Sequence, residues 1–279
     1  MEIVLPWSIW EDAQPRKYPY GFSGLLFALI ISIVYLITLL IIGLLFREAS
    51  KELKNPQLKY WSYGFLVVFT FDVLHVIGDV LFYLTNDSRV PISFDSVVFY
   101  YYPTATSLSV AGIIVFYMLV FYYSILQIHK KLIFSDKIII FLDVIGILIG
   151  LSPYNWWHMT PPEGVIDTKP ITGMFLLILG IIAVFAFFKY LRNVVKPKAK
   201  EDKLKAIQFK FLRIGFVFMI ALTLLMVLHG IMARFKVPWA ATGLLIITFF
   251  KLLSMILTAI FVWIGFCTPR FIIRKYVKT

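Results

Sequence analysis

Seven stretches of the chain run apolar for close to the ~20 residues that a membrane-spanning helix needs. They cover residues 22–46, 61–84, 97–128, 135–151, 171–190, 211–232 and 239–266, with polar residues gathered in short segments between them. This pattern predicts an all-α integral membrane protein, a bundle of seven transmembrane helices forming one domain over residues 1–279 with no soluble domain. The fourth stretch is the weakest, with Asp136 and Lys137 at its start and Asp143 inside it. Six spans is the competing count, if that stretch is re-entrant. The third is long, and its opening Tyr100-Tyr101-Tyr102-Pro103 belongs in the interface. Trp61, Trp239 and Trp263 fall near span ends, as the residues of an aromatic belt do.

The basic residues orient the bundle. Of 27 Lys and Arg, twenty lie beside or between the runs at the ends of the odd spans, around 47–59, 130–137, 189–213 and 270–278. Six lie at the opposite ends, and Lys251 is inside the last span. This bias places the N-terminus outside and the C-terminus in the cytoplasm of a multi-pass protein of the cell membrane.

Composition agrees. The 279 residues are 61% hydrophobic and 15% charged, and mean hydropathy is +0.88, against about 45–50% apolar and ~25% charged in soluble domains. A net charge of +12 suggests nucleic acid in a soluble protein, but here the charge sits in loops that set topology, so nucleic acid is not expected as a partner. One cysteine, Cys267, excludes an intrachain disulfide. No cleavable signal is expected. Glu2, Glu11 and Asp12 precede the first run, which is long enough to span and stay.

The candidate chemistry is a set of ionisable groups inside apolar runs. Asp72, His75 and Asp79 are spaced i, i+3, i+7, one face of a helix. Lys251 lies 12 residues in from Trp239, ~18 Å along a helix, and Asp72 lies 11 from Trp61, ~16.5 Å. Both fall near the middle of a ~30 Å hydrocarbon core, where charged groups mark functional sites by default. The expectation is a polar cluster of Asp72, His75, Asp79 and Lys251, with Lys251 facing Asp72 or His75. Asp143 and His229 are second-tier members. Thr104, Thr106, Ser107 and Ser109 open the third span as packing residues or as the lining of an outer cavity. Gly146 and Gly150 make one small-xxx-small packing pair.

The loops add two features. Trp156, Trp157 and His158 sit in a Pro-rich outer loop, as interfacial anchors or a ligand lid. Residues 189–213 form the most basic inner segment, with Pro197 expected to separate two helical extensions. That segment suits anionic lipid head groups or a cytoplasmic partner.

The four histidines are too widely spaced for a metal site. The chain has no HExxH, GxSxG, P-loop or GxGxxG motif, so an enzyme is not expected, an intramembrane hydrolase built on Asp pairs being the exception. An outer N-terminus, seven spans and a mid-membrane Lys251 in the last one resemble the retinal-binding rhodopsins, which implies retinal on Lys251. The chain departs from that pattern with Ile247 four residues before the lysine and no acid in residues 97–128. The counter-ion would then be Asp72. The leading expectation is a receptor-like or sensory protein that signals through its basic cytoplasmic loops. A proton- or cation-coupled transporter or channel is the alternative, and a divergent retinal-binding protein the third.

Overall fold

The computed structural model describes residues 21–85, 97–151, 169–200, 202–232 and 238–269, nearly all of them helical. Seven long helices follow one another: α1 (Gly21–Glu52), α2 (Lys59–Thr85), α3 (Val97–His129), α4 (Phe134–Gly150), α5 (Lys169–Tyr190), α6 (Lys203–Met232) and α7 (Pro238–Cys267). Six of them are long and apolar enough to cross a membrane. The chain is therefore a multi-pass membrane protein. The exception is α4, whose 17 residues extend ~25 Å, short of the ~30 Å hydrocarbon core.

The packing order explains that division. α2 packs on α1 and α3, α5 on α3 and α6, and α7 on α6 and α1. These six helices close a ring. α4 lies outside it, in the groove between α3 and α5. Its polarity is inverted accordingly. Phe134, Phe141 and Leu148 are exposed on one side, while Asp136, Asp143, Gly146 and Gly150 are buried on the other. Residues two apart on a helix point some 200° away from each other, so the seven-residue spacing of each set makes two opposed stripes. The Gly146–Gly150 pair is a packing surface, as its spacing suggests. Gly146 meets Phe175 and Leu179 of α5, and Gly150 meets Ile114 and Ala111 of α3.

The centre of the ring is filled at the end where the basic turns lie. Trp61 of α2 is only 2% exposed. Its indole contacts Phe46 of α1, Phe116 and Tyr123 of α3, Phe187 of α5 and Phe266 of α7, at ring-centroid distances of 5.3–6.2 Å. Phe216 of α6 stands 6.2 Å from Phe187. All six ring helices thus contribute to one aromatic plug. This corrects the belt assignment of Trp61. A Trp near a helix end turns inward when the end is surrounded by other helices rather than by head groups.

The connection from α5 to α6 is also more continuous than its sequence suggests. α5 passes into a π-helical turn, Leu191–Val195, and then a one-turn helix, Lys196–Ala199. In an α-helix Pro197 would clash with the carbonyl four residues before it. Here the wider turn precedes it, with the Lys196 N–H bonded five residues back to the Leu191 carbonyl. The helix therefore runs through Pro197 and ends at 199. α6 then starts on a cap of its own, the Asp202 carboxylate accepting from the Leu204 N–H at 2.7 Å.

Candidate functional site

Asp72 is buried where α1, α2 and α3 meet, and both its oxygens are used. Tyr35 of α1 donates its hydroxyl to Asp72 Oδ2 at 2.6 Å, and Ser109 of α3 donates to Asp72 Oδ1. A carboxyl at this depth needs donors because no water is at hand to supply them. One side chain therefore ties three helices together, ~16.5 Å along α2 from Trp61. Below it towards the plug the core is apolar, with Leu39, Phe65, Val68 and Phe116 all buried.

His75 lies one turn further along α2 and is half-buried, as is Lys251 on α7. Helix α1 packs against both α2 and α7. The side chain of Asp79 and the loop residues Trp156, Trp157 and His158 lie outside the described residues. So do the side chains of Thr104, Thr106 and Ser107. His229 sits at the far end of α6, its Nδ1 3.4 Å from Thr248 Oγ1 of α7. Asp143 is buried at a different junction from Asp72, in the groove where α4 meets α3 and α5. Among the described residues no three His, Cys, Asp or Glu side chains converge as a metal site requires.

Two further polar contacts join α3 to the other half of the ring. Tyr117 and Thr223 of α6 share a hydrogen bond of 2.8 Å, and Thr223 also donates back to the Met219 carbonyl at 3.0 Å. Towards the plug, Tyr123 donates to the Tyr190 hydroxyl at 3.4 Å. Tyr190 is the residue immediately before the π turn. Thus α3 carries Ser109, Tyr117 and Tyr123, each bonded to a different helix. Sequence reading singled out Ser109 only as one hydroxyl of several and passed over Tyr35, Tyr117 and Tyr123. Lone tyrosines within apolar runs were the available signal.

Beyond the plug, the end of α5 and the start of α6 form a basic helical hairpin. Phe188 and Val217 are exposed, and among the described residues between them no large apolar side chain is. Lys189, Arg192, Lys196, Lys198, Lys200, Lys203, Lys210 and Arg213 are all exposed there. From Lys203 to Arg213, α6 advances ~15 Å.

The chain matches no family model, no curated protein and no solved structure.

Proposed function

We propose that this is a receptor-like or sensory membrane protein of the cell membrane, with its N-terminus outside and the basic hairpin in the cytoplasm. The observation that carries this reading is the pairing of a three-helix polar node with an aromatic plug below it. The node is a place where a small ligand or a proton would act, and the plug closes the ring axis towards the basic end. Such a core suits transmission of a change in helix packing better than passage of a solute.

The route runs along α3. A ligand or proton that takes over an oxygen of Asp72 releases Tyr35 or Ser109 and so loosens α1 and α3 from α2. Ser109 and Tyr123 are 14 residues apart on α3, ~21 Å. Because a helix moves as a rigid element, displacement at Ser109 reaches the Tyr123–Tyr190 contact. Tyr190 leads directly into the π turn and the basic hairpin, whose exposed lysines and arginines suit anionic head groups near the bilayer and a cytoplasmic partner beyond them.

The test uses the full chain in lipid nanodiscs, with a fluorophore on Lys198→Cys in a Cys267→Ser background. Asp72→Asn is expected to change the emission of that probe, and proteoliposomes are expected to show no proton flux. An unchanged probe, together with proton flux that Asp72→Asn abolishes, would replace the sensory reading with a proton-coupled transporter.

A further inference from the structure

Helix α4 turns two carboxyls into the groove between α3 and α5, and one of them has a local explanation. Asp136 Oδ2 accepts from the Ile133 N–H at 2.9 Å and so caps the helix it begins. Asp143 has no such role. It lies two turns further along, ~10 Å, is 1% exposed, and its Oδ1 is buried without a hydrogen-bond partner.

The groove wall further along the same buried face is apolar. One turn on, Gly146 is closed by Phe175 and Leu179, and two turns on, Gly150 by Ile114 and Ala111. Among the described residues, the buried titratable groups on the elements packed there are few and already engaged. On α3, Tyr117 is bonded to Thr223 and Tyr123 to Tyr190, and Tyr190 itself closes α5. Lys137 on α4 and Lys189 on α5 are exposed, the latter with its ammonium 4.8 Å from the Phe185 ring centre.

A buried carboxylate with no hydrogen-bond donor and no cation beside it is strongly disfavoured in its ionised form, and a proton neutralises it without any further occupant. We propose that Asp143 is a proton-binding site. Its carboxyl carries a proton while α4 is seated between α3 and α5. When α4 lifts, the O–H bond breaks, the proton passes to water and a hydrated carboxylate remains. The site is separate from the Asp72 node and does not rest on the sensory reading.

The test is infrared spectroscopy of the full chain in nanodiscs near neutral pH. Wild type is expected to show the carbonyl stretch of a protonated carboxylic acid, and Asp143→Asn to lack that component while Asp136→Asn keeps it. If the Asn variant does not fold, Asp143→Glu serves instead by shifting the band. A second readout is stability against pH. The folded state then holds a proton that the unfolded chain loses above about pH 4, so stability falls as pH rises. The folding equilibrium shifts by up to tenfold per pH unit, and Asp143→Asn removes that slope. A wild-type acid region that is unchanged in both Asp143 variants, or a slope that survives in Asp143→Asn, overturns the assignment.

Discussion

Asp72 shows how a single side chain is held in a medium that offers no water. Its two oxygens take hydroxyls from α1 and α3, so losing the carboxyl also strands the donors. Tyr35 is buried and would be left with an unsatisfied hydroxyl in Asp72→Ala, at a cost of about 1–3 kcal/mol. Tyr35→Phe removes one hydrogen bond and is expected to cost about 1 kcal/mol. The two changes share one contact, so their combination should fall short of the sum by at least ~0.5 kcal/mol. Thermal unfolding of the four proteins in one detergent checks this, and strict additivity would mean that the Tyr35–Asp72 bond contributes nothing. At this scale the sequence was informative about which groups are unusual and silent about their partners. Asp72 stands out because a carboxyl in an apolar run is costly. Tyr35 is one tyrosine among fifteen, and a contact spanning 37 residues depends on how helices pack. No local spacing encodes that.

Elements were more legible, because the apolar runs that define them are imposed by the bilayer rather than by neighbours. The seven expected runs correspond to the seven long helices, and the weakness expected of the fourth has a physical counterpart in the short, peripheral α4. What the runs did not disclose is which helices touch. Among the described glycines the tightest approach is made at Gly265 of α7, and Gly215 of α6 and Gly43 of α1 follow, not the Gly146–Gly150 pair that spacing pointed to. A Cβ on Gly265 would sit 2.5 Å from Leu212 Cγ, and one on Gly215 2.8 Å from Val262 Cγ2. A Cβ on Gly150, by contrast, finds its nearest neighbour at 3.7 Å, an ordinary contact. Opposite outcomes follow for the same substitution. Gly265→Ala should force α6 and α7 apart and cost about 1–3 kcal/mol as overpacking. Gly150→Ala should be neutral or stabilise slightly, since alanine is favoured over glycine within a helix by about 0.5–1 kcal/mol. Melting temperatures measured side by side decide it, and an unchanged melting temperature for Gly265→Ala would show that the α6–α7 contact has more room than the geometry allows.

For the whole molecule, the decisive feature is that exposed apolar and exposed basic surfaces meet at matching levels on separate helices. On α5 exposure passes from Phe188 to Lys189, on α6 from Val217 to Arg213, and on α1 from Leu45 to Arg47. A ring of long basic side chains at one depth is what helices present where hydrocarbon gives way to head groups. The ~15 Å of hairpin beyond that ring exceeds the head-group layer, which is roughly 5–8 Å on each side. Its tip around Lys198 is therefore expected to stand in water, on whichever side the basic residues face. Under the proposed orientation that side is the cytoplasm. In intact cells, Lys198→Cys in the Cys267→Ser background should resist a membrane-impermeant maleimide, and it should react fully once the membrane is opened. Leu148→Cys, exposed on the lipid-facing stripe of α4, should react in neither case. Labelling of Lys198→Cys in intact cells would invert the bundle, and the hairpin would then face outward as a surface for external rather than cytoplasmic partners. Failure to label it even in opened membranes would place the tip within the bilayer, and the level drawn through Lys189 and Arg213 would no longer mark its edge.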